Sequence, residues 1–210
     1  MIGPEGRVLP MFPLGSVLLP STAVSLHVFE PRYRALVRHC LDGDGELGVV
    51  LIERGSEVGG GDVRFDVATQ ARIADAAELP DGRWAMIVIG ERRIRIRRWL
   101  PDDPYPRAEV VVCDDRPPDP GTTARRPELD RVFRRTLAMS SELGEPVHDV
   151  AAELSSQSEV ATWQAVALGP LGAMDAQRVL ATDGADERLD LVVALLEEQA
   201  AVLAHRLAGG

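Results

Sequence analysis

The sequence predicts an α+β protein in which a β-rich module, residues 1–115, precedes a helical module, residues 128–210. Three observations predict this division. Short apolar stretches separated by turn residues fill the first module, a proline-rich linker spans residues 116–127, and apolar residues recur every three or four positions beyond it. Neither half alternates strands with helices, as a parallel α/β sheet would.

The β-rich module contains one predicted helix. Ala23–Phe29 alternates apolar and polar residues, which is typical of a strand. Proline suits the first turn of a helix, and apolar residues follow it at helical spacing, so Pro31–Asp42 is predicted to be helical. Leu47–Ile52 is a continuous apolar run that indicates a buried strand. Further strands are expected over Val8–Phe12, Val63–Leu79, Trp84–Leu100 and Tyr105–Cys113.

The helical module is expected to contain five helices. They are predicted over Glu128–Leu143, Pro146–Leu154, a segment through Leu168, Ala173–Leu180 and Ala185–Leu207. Ser156 and Glu159 have the spacing of a capping box, which predicts the start of the third. The last helix carries a stripe that needs a partner face, comprising Leu189, Val192, Leu196, Ala200, Leu203 and Leu207.

Composition excludes several kinds of chemistry. The 210 residues carry a net charge of −10, which disfavours binding to phosphate backbones. The sequence has no lysine, so a Schiff-base lysine, a Ser–Lys dyad and the usual phosphate-binding loop are all impossible. Cys40 and Cys113 are predicted to be ordinary thiols. No signal peptide or membrane span is recognisable, so the cytoplasm is the expected location.

The motifs that resemble catalytic or cofactor sites do not have the required context. Gly43–Gly48 matches G-x-G-x-x-G, but a helix precedes it and a strand follows, which reverses the order of a dinucleotide site. His148 and Asp149 next to each other are better explained as a helix cap than as partners of a serine. His39 and Cys40 are adjacent on a helix and therefore point in different directions. We therefore predict no catalytic residues, no cofactor and no metal.

A row of arginines is the best candidate for binding an anion. In residues 93–97 the alternation predicts that Ile94 and Ile96 face inward while the arginines face outward. Arginine beside aromatic residues can grip phosphate and stack on bases. The expected surface comprises Trp84, Arg93, Arg95, Arg97 and Trp99, with Arg92 and Arg98 nearby. A solvated strand face in an acidic protein is the simpler interpretation.

The N-terminal string resembles the substrate-binding domain family of Lon proteases. The resemblance is carried by Leu9–Leu14, Val17–Pro20 and Leu26–Arg34, the last containing Phe29-Glu30-Pro31-Arg32-Tyr33. Further matches follow in order at Leu47–Ile52, Ala68–Ile73, Leu79–Arg83, Gly90–Ile96, Pro104–Tyr105, Ala108–Val110 and Arg188–Leu189. The sequence departs from the family pattern at Ser21 and Ala68, where glycine is usual, and at Ile94, which replaces phenylalanine.

The resemblance implies a PUA-like β-barrel with one inserted helix, followed by a helical bundle that ends in a long helix. It also implies that Glu30-Pro31 turns a strand into that helix. Tyr33 would then be an aromatic anchor, and Glu30 and Arg32 would make local ion pairs. On this basis the string Phe29–Tyr33 is interpreted as structural.

Three functions remain open from the sequence. The first is non-catalytic recognition of unfolded or exposed peptide segments, in a groove between the modules or by strand addition to an open edge. The chain would then act as an adaptor in protein quality control, with a separate protease or chaperone as partner. The second is a nucleic-acid-binding PUA-like module that uses the arginine row. The third is a hidden enzyme. A homo-oligomer is also possible, and no membrane partner is expected.

Overall fold

The computed structural model divides the chain into two compact units, Met1–Cys113 and Asp114–Gly210, which we call the β unit and the α unit. The structure describes residues 6–55, 57, 61, 63–116, 118–119, 122–147 and 152–209, with the backbone alone for residues 122–124.

The described part of the β unit consists of seven strands and one helix. Their bounds are β1 (Arg7–Leu14), β2 (Ala23–Val28), α1 (Pro31–Asp42), β3 (Glu46–Arg54), β4 (Val63–Arg64), β5 (Val67–Glu78), β6 (Trp84–Leu100) and β7 (Arg107–Val112). The helix has the bounds that its proline and its apolar spacing predict. The glycine-rich segment Gly43–Gly48 follows this helix and runs into β3, the reverse of the order that a dinucleotide site requires.

The strand pairs of the β unit form a closed circuit. One half of β1, Arg7–Pro10, pairs antiparallel with β7, and the other half, Met11–Leu14, pairs parallel with β3. Antiparallel pairs then join β7 to β6, β6 to β5 and β5 to β3, which returns the path to β1. Two strands lie outside the circuit: β2 pairs with β6 along its whole length, and β4 pairs with β3.

The β unit contains two buried apolar clusters. The first joins α1, through Tyr33, Leu36, Val37 and Cys40, to residues of β1, β2, β3, β5 and β6. The second lies among β1, β3, β5, β6 and β7 and includes Ile94 and Ile96. The predicted inward direction of these two isoleucines is therefore confirmed. Burial of apolar surface on both sides of the strands is the main source of stability in this unit.

The turn before β2 is held against β6. Ser21 donates its N–H to the Gly90 carbonyl at 2.8 Å, and Gly90 donates to the Thr22 carbonyl at 2.9 Å. A Cβ at position 90 would lie 2.3 Å from the Leu19 carbonyl oxygen, so only glycine fits there. Ser21 itself has φ of 60°, a backbone conformation that favours glycine. The family's usual glycine after Pro20 thus has a backbone explanation.

The α unit contains four described helices: α2 (Thr122–Glu142), α3 (Ser158–Leu168), α4 (Ala173–Ala181) and α5 (Ala185–Gly209). The predicted stripe of α5 is buried from Leu189 to Leu203, and α2 buries Leu129, Val132, Phe133 and Leu137. Thr136 of α2 donates its hydroxyl to the Leu196 carbonyl of α5 at 3.3 Å, so the stripe packs against α2. None of the helices in the described chain combines the length and apolar character needed to cross a bilayer.

Three expectations for the α unit need correction. Helix α2 begins at Thr122, inside the predicted linker 116–127, because residues before and within its first turns are bonded to the start of α5. The bonded pairs are Arg116 with Glu187, the Asp119 N–H with Asp186, and Arg125 with both Asp186 and Asp190.

The helix predicted over Pro146–Leu154 is not formed at its described residues, 146–147 and 152–154, and its remaining residues lie outside the description. The capping box is also wrong, because Gln157 is the N-cap residue of α3 and makes no side-chain cap hydrogen bond.

Candidate functional site

Several strand edges of the β unit have no strand partner in the described chain, among them the outer edge of β4 and the edges of β2 and of part of β1. Strand β2 pairs only with β6, which leaves its other edge open. Within β1, residues Phe12–Leu14 pair only with β3, so one edge is open there as well. An unpaired edge presents a row of backbone N–H and C=O groups, which is a template for another strand.

Residues of both of these strand segments line the same cavity, which has a volume of about 190 Å³ and which we call the edge slot. Its lining comprises Phe12, Pro13, Leu14, Ser25, Leu26, His27, Val28, Phe29, Glu30, Tyr33 and Glu57. Sites for drug-sized ligands usually measure about 300–1,000 Å³, so this volume suits one large side chain rather than a whole small molecule.

The string Phe29–Tyr33 forms one end of the edge slot. Glu30 has extended backbone angles and precedes Pro31, the first residue of α1, which is the turn from strand to helix implied by the resemblance. Tyr33 is buried and stacks on Phe12 with 4.5 Å between ring centroids. Phe29, by contrast, is 55% exposed. The string therefore combines a buried structural part with an exposed aromatic ring beside a cavity.

The charges at the slot are partly compensated. Arg32 donates its Nε–H to Glu30 at 3.1 Å, and its guanidinium lies 4.5 Å from the centre of the Tyr33 ring. Glu57 accepts the backbone N–H of Gly15. The slot is thus lined by apolar side chains together with two carboxylates, Ser25 and His27, so it presents both hydrogen-bonding and apolar groups.

The structure does not bring the predicted arginine surface together. Arg93 is only 2% exposed, and Trp84 is part of the first apolar cluster. Roughly 30 Å of strand separates these two residues at about 3.3 Å per residue. Arg95 and Arg97 are exposed as predicted, while Trp99 is half-buried and stacks with Arg64 at 4.4 Å.

The burial of Arg93 has a local cause. Arg93 lies opposite Thr69, whose hydroxyl donates to the Leu18 carbonyl at 2.6 Å, so the segment before β2 lies over this part of the outward face. Of the neighbouring arginines, Arg92 is exposed and Arg98 is paired with Glu109 at 2.9 Å. The arginines of β6 therefore do not form one continuous exposed surface, although alternation predicts that they point outward.

The other residues considered for chemistry are dispersed. Burial raises the pKa of the Cys40 thiol to about 12, and the Asp44 carboxylate adds to the rise, so the thiol is protonated and weakly nucleophilic at neutral pH. Both cysteines are free thiols. His148 and Asp149 lie outside the described residues.

Sequence reasoning missed the edge slot because it is built from β1 and β2, which are not paired with each other. One signal was available: Phe29 is a large aromatic residue placed directly after an alternating strand and before a helix-starting proline. A residue in that position is not required by either element, which favours a role at the surface.

The fold matches solved structures of Lon N-terminal domains. A Lon N-terminal domain protein from Xanthomonas campestris superimposes with a TM-score of 0.66 at 29% identity, covering 90% of this chain and 98% of that one. The N-terminal domain of the Mycobacterium avium complex Lon protease gives a TM-score of 0.64 at 18% identity, covering 91% and 98%. The second likeness concerns the fold alone. The class defined by this architecture is the Lon N-terminal type.

The family assignment is equally direct. The sequence model of the "ATP-dependent protease La (LON) substrate-binding domain" matches residues 8–198, so the chain belongs to that family. Lon proteases of Cytophaga hutchinsonii and Roseiflexus castenholzii are 26% and 29% identical to it, over 93% and 94% of the chain. The chain spans about a quarter of the length of these relatives. The family is therefore one of substrate-binding domains.

Proposed function

We propose that this chain binds unfolded or exposed polypeptide segments without chemical turnover, by adding them as a strand at the edge slot. The observation that carries the proposal is the pair of open strand edges, on β2 and on Phe12–Leu14, whose residues line one cavity. Backbone hydrogen bonds to such an edge supply affinity for any extended segment, and the cavity adds a preference for one side chain.

The burial of β2 supports the same occupant. Val24 and Leu26 point toward the first apolar cluster but are only half-buried, whereas Val28 is fully buried. An added strand would cover the exposed part of these side chains and so gain apolar burial in addition to hydrogen bonds. An extended segment with an apolar residue at the slot therefore fits better than a folded surface.

Fluorescence anisotropy with a labelled, proline-free peptide of about six residues, the usual length of a strand, tests this proposal. The peptide alternates leucine and threonine, and two further versions carry N-methyl groups on the leucine amides or on the threonine amides. Addition to one edge requires that methylation of one set of alternate amides abolishes binding while methylation of the other set does not, and insertion between the two edges requires that methylation of either set abolishes it. Equal binding of all versions would contradict it.

Phe29→Ala provides the matching test on the protein side. We expect the variant to bind the unmethylated peptide about fivefold more weakly or worse, because aromatic anchors dominate such interfaces. Met174→Ala is the control, since Met174 is 57% exposed, nearly the same as Phe29, but lies in the α unit. Equal affinities of the two variants would exclude the slot as the binding surface.

We also infer that the circuit of strand pairs is the PUA-like barrel that the resemblance implies, and that the α unit is the bundle. The return of the pairing path to β1 supports the first, and the packing of α2 against α5 supports the second. Cross-strand nuclear Overhauser effects between Met11 and Gly48, which are register partners, test the closing parallel pair.

The further proposal, that the chain is a cytoplasmic adaptor that passes a captured segment to a separate protease or chaperone, is supported by family membership and by two free thiols. It predicts faster degradation of an unfolded model protein by a purified Lon-type protease when the chain is added. The nucleic-acid alternative has less support, since Arg93 and Trp84 are buried. A salt-sensitive gel shift that is lost in the Arg95→Ala, Arg97→Ala double variant would revive it.

A further inference from the structure

We infer that the edge slot selects segments in which a lysine or arginine flanks the apolar side chain. The inference rests on the proposed function and adds the chemistry of the preferred substrate. Two carboxylates, those of Glu30 and Glu57, line the slot, and no arginine is among its described lining residues. A binding surface of one charge sign steers and favours segments of the opposite sign.

Glu57 supplies the uncompensated charge. It accepts the Gly15 N–H through Oε1, and no guanidinium is paired with its carboxylate among the described residues. Arg32 lies close by, but its Nη2 donates to the backbone carbonyl of Glu57, at 3.5 Å, rather than to the side chain. The Glu57 carboxylate is therefore available to a basic residue at the rim.

Glu30 contributes less, because Arg32 offsets its charge. The Nε of Arg32 binds only Oε2 of Glu30, and both side chains are less than a fifth exposed, at 18% and 17%. The Arg32 guanidinium also lies over the ring of Tyr33, which is a lining residue, so its positive charge belongs in the sum for the cavity. The sum at the rim is close to one negative charge, which predicts a modest selectivity of up to about fivefold.

The net charge of −10 acts in the same direction over longer distances. At an ionic strength of about 0.1 M, charges more than roughly 10 Å apart are largely screened. A preference that comes from the whole protein therefore disappears in salt, whereas one that comes from Glu57 in contact with the segment is retained in larger part. Salt thus separates the two sources.

Three labelled peptides test the inference, identical except that lysine, glutamine or glutamate flanks the apolar residue at the slot. In 0.15 M salt we expect the lysine peptide to bind about three- to fivefold more tightly than the glutamine peptide, and the glutamate peptide more weakly than both. In Glu57→Gln the lysine and glutamine peptides should bind equally. Glutamine can still accept the Gly15 N–H, so the fold and the affinity for the glutamine peptide should be retained.

Glu198→Gln is the control. It removes the same charge as Glu57→Gln, but Glu198 is an exposed residue of the α unit, far along the chain from the slot. It should leave the lysine preference unchanged. A preference that survives both Glu57→Gln and Glu30→Gln, or equal binding of all three peptides, overturns the inference and leaves strand addition standing. Failure of every peptide to bind the unaltered chain overturns the proposed function itself.

Discussion

Each unit contains a buried charge that lies between two groups of the opposite sign, and the two central charges differ in sign. In the β unit the Glu46 side chain is 9% exposed and lies between Arg7 and Arg72. In the α unit the Arg188 side chain is 1% exposed and lies between Asp115 and Glu159, at 2.8 and 3.4 Å. One cluster is a carboxylate held by two guanidiniums, and the other is a guanidinium held by two carboxylates.

The difference between the clusters is how the central group is completed. Glu46 has its two oxygens taken by arginines that are a third to nearly half exposed. Arg188 also donates to the Thr182 carbonyl and stacks on Trp163 at 4.8 Å, so it is packed as well as paired. An isolated buried charge is too costly to persist, so each of these groups needs partners of opposite charge. In both clusters at least one such partner comes from a segment distant in sequence. Each buried charge thus attaches a remote segment to its unit.

Arg188→Met breaks the deeper cluster and should have the largest effect. We expect the free energy of unfolding of the α unit to fall by about 3 kcal/mol, because the change removes two ion pairs, a hydrogen bond to the Thr182 carbonyl and a guanidinium packed on Trp163 from one buried position. Urea unfolding followed by hydrogen exchange in α5 measures this change. Arg178→Met removes an exposed pair with Asp175 and should change stability by less than about 0.5 kcal/mol. Equal effects would mean that burial does not distinguish the two arginines.

Glu46→Gln tests the shallower cluster in the same way. Glutamine keeps the shape and one acceptor oxygen of Glu46, and Glu46 has no aromatic ring packed on it, so the expected loss is about 1.5 kcal/mol, smaller than for Arg188. The measurement is hydrogen exchange of β3 and β5 under denaturant. Glu78→Gln, which removes an exposed pair with Arg38, is the control. A loss larger than that of Arg188→Met would reverse the order inferred from burial.

Gln70 sharpens the comparison because it is buried but not paired. Its side chain is fully buried, and neither amide atom has a hydrogen-bond partner among the described residues. Gln70→Met keeps the shape without the polar atoms and should stabilise the β unit by about 1 kcal/mol. Gln70→Glu should be strongly destabilising, since it places a charge where no partner exists. Thermal unfolding compares the pair, and stabilisation by both would contradict this account.

Asp44→Asn gives the smallest effect, and it depends on pH. The backbone N–H of Glu46 chiefly lowers the pKa of Asp44 below its ordinary value of 3.8, and the Arg7 guanidinium adds to this. A lowered folded-state pKa contributes stability that is present above pH 3.8 and is lost as the pH falls through the folded-state value.

The Asp44 side chain is 62% exposed, so the contribution is below about 1 kcal/mol. Urea unfolding at pH 6 should show Asp44→Asn to be less stable than the unaltered chain, and the gap should close on acidification. A gap that is independent of pH would show that the charge of Asp44 is not responsible.

The helix α1 and the stripe of α5 were predictable because local periodicity and proline determine them. Arg188 was predictable in part, since it falls between Ala185 and Val192 on the apolar face of α5, a position that is buried in the structure. Its partners could not be found, because Asp115 is 73 residues away in sequence. Periodicity predicts that a residue is buried, but it does not identify the groups that pair with its charge.

The β unit shows a second limit. Alternation correctly placed Ile94 and Ile96 inward, but it could not show that Leu18 lies over Thr69 opposite Arg93. The edge slot was likewise out of reach, because it depends on which strands remain unpaired after the circuit is made. The apolar periodicity of a strand does not reveal whether another segment covers it or whether one of its edges stays unpaired.

The bonds between residues 115–125 and the first turns of α5 have a practical consequence for dissecting this molecule. A recombinant fragment intended to contain the α unit should begin at Asp114 rather than at the proline-rich boundary suggested by composition. Truncation at Glu128 would delete Asp115, Arg116 and Arg125, and would strip Arg188 of a carboxylate on which it depends. Low yield or insolubility of that shorter fragment would then reflect the missing segment rather than an inability of the helices to form.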